Sequence, residues 1–365
     1  MAAGEAMRAA ELDALLLTSP ADIFYLTGYS TFEVSVHTAL LFTPRHMMLQ
    51  VPSIETGPAV ACTRVDDIRG YRWENIDEIL DPLVESMVDA GSRIGIDAWH
   101  GSLRHGVMQG LQARLPDRRF IDAADILHGV RIVKSPAELD CLAESARITG
   151  VGIEAAANAV RPGMLDSEIA AIGASALHGA GSEFMSMQPI VTTGRRSSVI
   201  HLNHQRRKIE RGEPVFLEFG SAWQRYTAPM MRTIIAGPPT PHMQKTFDTC
   251  RRIFDALLDA MRPGVSFDEA ARAAERALEP MAVEAFFSGV FGYAVGAQFP
   301  PSWIEGSGFI ARGQKRRFAP DMVFHLPLCL RIPGEWGIGC SDTVRVTESG
   351  GVPLTANPWR LGASD

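Results

Sequence analysis

Positive charge is in short supply. Lys and Arg number 35 against 42 Asp and Glu, a formal net charge of −7 over 365 residues. Without a basic excess to neutralise phosphates, nucleic acid is not expected as a partner. The basic runs at Arg195-Arg196, Arg206-Arg207-Lys208 and Lys315-Arg316-Arg317 read as solvated loops. Cysteine is sparse too. Cys62, Cys141, Cys250, Cys329 and Cys340 are odd in number, widely spaced and form no C-x-x-C pair, which argues against a disulfide framework and a zinc knuckle. No apolar run approaches ~20 residues, so no membrane span is expected. The N-terminal stretch MAAGEAMRAAELDALLLTS has acids inside its short apolar patch and no cleavage-like flank, so the cytoplasm is the expected location.

What is present suffices for two domains, each with its own core. The hydrophobic fraction of 46% and charged fraction of 21% are those of a globular chain. In the first third, strand signals at 12–17 and 93–96 and a hairpin over 39–42 and 47–51 alternate with helix signals at 20–26, 76–90 and 101–115. That interleaving predicts a small α/β domain. Ser135, Pro136 and Glu138 then form a capping box that opens a long helix running to about 159. It stops at Arg161-Pro162-Gly163, and a second helix follows over 166–178. The pattern recurs as a helix over 246–261, Arg262-Pro263-Gly264 and a helix from Ser266 to 278. Two such copies indicate an internal duplication. The expected boundary separates 1–130 from 131–365.

Between the copies lies the stretch 213–233. Residues 215–220 form a short apolar run bounded by turn residues, which predicts a buried strand, and 226–235 reads as its returning partner. Glu218 sits mid-run. A buried carboxylate is costly, so it should face a polar cavity or pair with an arginine such as Arg232.

The hairpin pattern, hydrophobic-acid-hydrophobic-Gly followed by an aromatic and Arg-Thr, resembles the pita-bread superfamily of creatinase, aminopeptidase P, prolidase and methionine aminopeptidase. The Lys134-Ser135-Pro136-x-Glu138 phrase resembles the opening of its catalytic domain. Residues 23–29, Ile-Phe-Tyr-Leu-Thr-Gly-Tyr, resemble a segment of creatinase and aminopeptidase P relatives. The resemblance implies an N-terminal creatinase-like α/β domain followed by a pita-bread domain, a pseudo-twofold α+β arrangement.

Hydrolases of this superfamily carry two aspartates, a histidine and two glutamates as metal ligands. The matching positions here are Glu218, Pro229, Tyr293, Pro327 and Ser341, with Asp342 one residue out of place. The resemblance therefore implies no metal and no cofactor for this chain. It also implies a retained general acid/base. Relatives keep a histidine twelve residues before the Gly-Asp leading into the central strand, and the match is His201, ahead of Gly212-Glu213. An imidazole suits that role because its pKa lies near working pH.

A narrower resemblance is to ectoine hydrolases. It rests on Arg225-Tyr226-Thr227-Ala228-Pro229 through Arg232-Thr233, on Gly292-Tyr293-Ala294-Val295-Gly296, on Pro300-Pro301-Ser302-Trp303 and on Phe324-His325. Near the N-terminus Leu26-Thr27-Gly28-Tyr29, Phe32 and Val36-His37 match as well. Those hydrolases carry a glutamate where this chain reads Gly337-Ile338-Gly339-Cys340-Ser341, without an acid.

The expected chemistry is metal-independent C–N hydrolysis of a small carboxylate-bearing amidine. Glu218 would hold the cation and His201 would shuttle the proton, while Arg331 or Arg232 would hold the carboxylate. Phe32, Tyr293 and Trp303 would wall the cavity, with Tyr226, His325 and His37 as further substrate-binding residues. The resemblance places Phe32 and His37 at a neighbouring subunit's site, which implies a homodimer. A creatine-like guanidino acid, an Xaa-Pro peptidase and a non-catalytic binding module stay open as alternatives.

Overall fold

The structure, a computed structural model, describes residues 2–72 and 75–362. The chain divides into two units, Met1–Arg131 and Ile132–Asp365. Among the described residues, no helix is long and apolar enough to cross a membrane.

In the first unit the described strands are β1 (Ala14–Leu17), β2 (Ala39–Phe42), β3 (Met47–Pro52), β4 (Asp67–Tyr71), β5 (Arg93–Ile96) and β6 (Arg119–Asp122). They form one sheet in the order β4-β3-β2-β1-β5-β6. β1 to β3 are antiparallel neighbours, and the other pairs are parallel. The period-2 alternation of a strand sends Leu15, Leu40 and Leu49 to one core and Leu16, Leu41 and Met48 to another. Helices α1 (Ala2–Ala9), α2 (Pro20–Thr27), α3 (Thr56–Cys62) and α6 (Ala124–Arg131) cover the first face. α4 (Ile76–Met87) and α5 (His105–Arg114) cover the second. A sheet buried on both faces is the expected form when crossovers are helical. β4 and β6, which the sequence signals do not reveal, are short, half-exposed edge strands without an apolar run.

The second unit builds the same motif twice. α7 (Pro136–Ala159) opens on the expected capping box: Ser135 Oγ accepts the Glu138 N–H, and Glu138 Oε2 accepts the Ser135 N–H at 2.9 Å. α7 and α8 (Asp166–Gly179) pack on β7 (Ile190–Thr193), β8 (Pro214–Phe219) and β9 (Met230–Ile235) through Ile153, Ala157, Val191, Val215 and Leu217. In the second copy, α9 (Pro241–Ala260) and α10 (Phe267–Leu278, again with a capping box, Ser266 and Glu269) pack on a second sheet. Its strands are β10 (Val290–Ala294), β11 (Phe309–Ala311), β12 (Val323–His325), β15 (Thr343–Thr347) and β16 (Gly350–Pro353). β13 (Leu328–Ile332) and β14 (Trp336–Cys340) form a separate hairpin. Both Arg-Pro-Gly turns end in a left-handed glycine, Gly163 at φ 95° and Gly264 at φ 85°, a conformation that costs glycine little. This is the pseudo-twofold α+β arrangement.

The returning strand is shorter than the sequence pattern suggests. β9 begins at Met230, because Gln224 and Arg225 adopt left-handed φ values of 48° and 67° and Tyr226 turns back on Trp223.

Candidate active site

The register of β7-β8-β9 decides which side chains share a face. Glu218 lies opposite Ile190 on β7 and Met231 on β9, while Leu217 lies opposite Val191 and Arg232. Leu217 and Val191 face the α7–α8 core, so Glu218 faces the other way. There it lines a cavity of about 340 Å³, within the range of small-molecule sites.

His201, Tyr293, Trp303 and Arg331 line the same cavity, with Ile190, Val199, Ile200, Phe216, Met231 and Phe309 as apolar wall. Five of the residues singled out in the sequence are thus brought together. His201 sits in an exposed turn at φ 56°, a left-handed conformation uncommon for a residue with a side chain. Its loop is tied down at Asn203, whose Oδ1 accepts the Val191 and His204 N–H groups and whose carbonyl accepts from Arg196.

The charges in the cavity are buried and not hydrogen-bonded to one another. Burial pushes the Glu218 carboxyl up to about 8, and the Arg331 guanidinium offsets this only in part. Arg331, on β13, is 8% exposed, and its Nε has no hydrogen-bond partner. Its guanidinium stands 5.6 Å from the centre of the Phe216 ring. Across the hairpin it lies opposite Gly337, where an added Cβ would come within 3.0 Å of the Arg331 stem. The Cys329 thiol in the same wall is pushed up to about 12 by burial, which disqualifies it as a thiolate nucleophile at neutral pH.

Behind the wall runs a chain of short hydrogen bonds. Trp303 Nε1 donates to Tyr293 Oη at 2.7 Å, Tyr293 Oη lies 2.8 Å from His325 Nδ1, and His325 Nε2 lies 2.6 Å from Ser341 Oγ. Ser341 Oγ also accepts the Met231 N–H at 2.7 Å. Burial lowers His325 to about 3, so its imidazole is neutral. Ser341 was legible only as a lost ligand; the pairing of β10 with β12, and of β12 with β15, which Ser341 precedes, is what joins it to this chain.

The remaining expected residues lie elsewhere. Arg232 does not pair with Glu218 and does not reach the cavity: its register puts it on the opposite face, where it donates to the Gly362 carbonyl at 3.4 Å. Tyr226 donates its hydroxyl to Glu138 instead of lining the cavity. His325 stands one residue behind the wall and touches it through Tyr293. In the first unit His37 is 2% exposed and its Nε2 lies 3.1 Å from Gln50 Oε1. Phe32, by contrast, is 92% exposed and borders a cleft with Ile54 and Tyr71.

Residues 2–133 match the creatinase/prolidase N-terminal domain, and residues 140–348, more than half of the chain, match the metallopeptidase family M24. The chain belongs to family M24. It is a hydrolase of that family. An ectoine hydrolase of Halomonas elongata is 24% identical, covering 96% of this chain and 92% of its own. An Xaa-Pro dipeptidase of Pyrococcus horikoshii is 23% identical, covering 96% and 94%. The X-Pro aminopeptidase structure from Thermotoga maritima superposes with a TM-score of 0.87 at 20% identity, covering 98% of both chains.

The metal pair that the M24 family name implies does not fit these residues. A dinuclear site needs several carboxylates, and Glu218 is the one carboxylate at the matching positions. Pro229 and Pro327 offer no side-chain donor, and the oxygens of Tyr293 and Ser341 are engaged as described. Asp342 is turned away, accepting from Thr355 Oγ1, the Asn357 N–H and Trp359 Nε1. Among the described residues, no three His, Cys, Asp or Glu side chains converge where an ion could sit.

Proposed function

We propose that this M24 hydrolase acts without a metal on a small cyclic amidine bearing a carboxylate, of the ectoine type, opening the ring to an N-acetyl-diaminobutyrate. The observation that carries this reading is one cavity holding a buried carboxyl, Glu218, and a buried guanidinium, Arg331, with no hydrogen bond between them. A buried guanidinium and a carboxyl that burial keeps protonated both favour a ligand carrying the opposite charges, and a zwitterion is their complement. An amidinium would meet Glu218, which ionises as the cation arrives, and the ligand carboxylate would take a forked contact from Arg331. The similarity to the Halomonas ectoine hydrolase supports the same substrate class.

In the reaction, water adds its oxygen to the amidinium carbon and gives a proton to His201. One ring C–N bond then breaks, and the departing nitrogen receives the proton back from His201. The added oxygen becomes the amide carbonyl as its remaining proton is released. An amidinium is already electrophilic at carbon, so this attack needs no Lewis acid to begin. The homodimer remains part of the proposal, with Phe32 as the residue exposed enough to serve a neighbouring site.

A guanidino acid such as creatine pairs a cation with a carboxylate in the same way and is the second reading. The test is ligand-induced thermal stabilisation with ectoine, creatine and Gly-Pro, followed by turnover. The melting temperature should rise with ectoine by mass action, and the shift should vanish in Arg331→Met. His201→Ala, at an exposed position, should bind ectoine but not turn it over. Stabilisation by creatine alone would select the second reading, and by dipeptide alone would overturn both.

A further inference from the structure

We infer that Tyr293 points its hydroxyl proton into the cavity as a catalytic hydrogen-bond donor, and that His325 and Ser341 are positioning residues that hold it there. The inference deepens the proposed function and rests on it only for the identity of the substrate.

The direction follows from donor bookkeeping. Trp303 Nε1 and the Met231 N–H can only donate, so Tyr293 Oη and Ser341 Oγ must each accept one bond. A neutral imidazole carries one N–H, which leaves two arrangements. In the first, Tyr293 donates to His325 Nδ1, and His325 Nε2–H donates to Ser341. Ser341 Oγ then accepts twice, and its own proton has no acceptor among the described residues, although the residue is fully buried. A buried hydroxyl left unpaired is penalised.

In the second arrangement Ser341 donates to His325 Nε2, and His325 Nδ1–H donates to Tyr293 Oη. Every donor in the chain of bonds then has an acceptor but one, as in the first arrangement. The proton left over is that of Tyr293, which lines the cavity and senses the Glu218 carboxyl. An unspent donor there can be satisfied by a ligand, whereas one at Ser341 cannot. The second arrangement is therefore favoured.

The donor supplies what the site otherwise lacks. As water adds to the substrate carbon, the new oxygen gains electron density when it loses its proton. An O–H already aimed at it stabilises that state without reorganising. Glu218 cannot do this once it is ionised by the substrate cation, and Arg331 is committed to the carboxylate.

The test has two arms. The first reads the His325 tautomer of the substrate-free protein in a long-range 1H–15N spectrum of histidine-labelled material, with the signal assigned by its loss in His325→Gln. Wild type should carry its proton on Nδ1. Ser341→Thr, which keeps the hydroxyl, should leave it on Nδ1. A wild-type imidazole protonated on Nε2 overturns the relay whether or not the variant folds.

The second arm compares Tyr293→Phe with wild type on whichever member of the ligand panel is turned over. The expected loss in kcat is about 10²–10³-fold, as for removal of one oxyanion donor, with KM little changed. An unchanged kcat overturns the catalytic role. Failure of ectoine as substrate would sink the proposed substrate while leaving the tautomer result standing.

Discussion

Glu218 is the residue where fold and function conflict, and pH exposes the conflict. In the unfolded chain its carboxyl titrates near 4.5, whereas in the folded cavity burial holds it at about 8. Between those values the folded state keeps a proton that the unfolded state has lost. Stability contributed by this group is therefore present below pH 4.5 and declines as pH rises towards 8, by up to about 1.4 kcal/mol per pH unit. Glu218→Gln removes the titration but keeps the shape. Its melting temperature relative to wild type should climb steadily from pH 5 to pH 8 in paired thermal scans. A difference that stays flat across that range would mean that Glu218 is not desolvated. Position by position, the sequence reached this residue because an acid inside an apolar run is conspicuous. It could not choose between Arg232 and Arg331, because strand parity depends on a register that begins four residues later than the pattern suggests.

At the level of elements, β14 excludes an acid from two of the five positions, Gly337 and Gly339, in the stretch where the resemblance to ectoine hydrolases implies a glutamate. A Cβ on Gly339 would fall 2.2 Å from Phe216 Cε2, and one on Gly337 would fall 2.2 Å from the Ser197 carbonyl oxygen. The strand is pressed against β8 and the 3₁₀ turn before His201, so it has no room for a side chain at either position. Gly339→Ala should therefore cost about 1–3 kcal/mol through overpacking, read as a lower urea midpoint with an unchanged slope. A variant as stable as wild type would show that Phe216 moves aside freely. Elements with local signatures were legible in advance: the Ser135 capping box, the helix start at Ser266 and both Arg-Pro-Gly turns appear where the sequence puts them, since each is made by residues a few positions apart. The relay through Tyr293, His325 and Ser341 was not, since β10, β12 and the link between β14 and β15 assemble it from positions up to 48 residues apart.

For the molecule as a whole, the pita-bread frame stands with side chains at its centre that do not make a metal-ligand set. Prolidase-like relatives share this frame over nearly the full chain. Two helix-on-sheet cores supply apolar burial in both halves, so the frame is expected to fold without an ion. The consequence is testable without knowing the substrate. Metal bound to the folded state alone would raise the melting temperature by mass action, and a chelator would take that increment away. With Pro229, Pro327, Tyr293 and Ser341 at four of the five ligand positions, chelation should leave the melting temperature unchanged, and added Mn²⁺, Co²⁺ or Zn²⁺ should not raise it. The same treatment should leave turnover of the active panel member intact, since His201, Glu218 and Tyr293 complete the proposed chemistry from side chains alone. A chelator-sensitive activity restored by one of these ions would overturn the metal-free reading. It would require a donor set recruited from outside the matching positions, because Pro229 and Pro327 offer no side-chain donor.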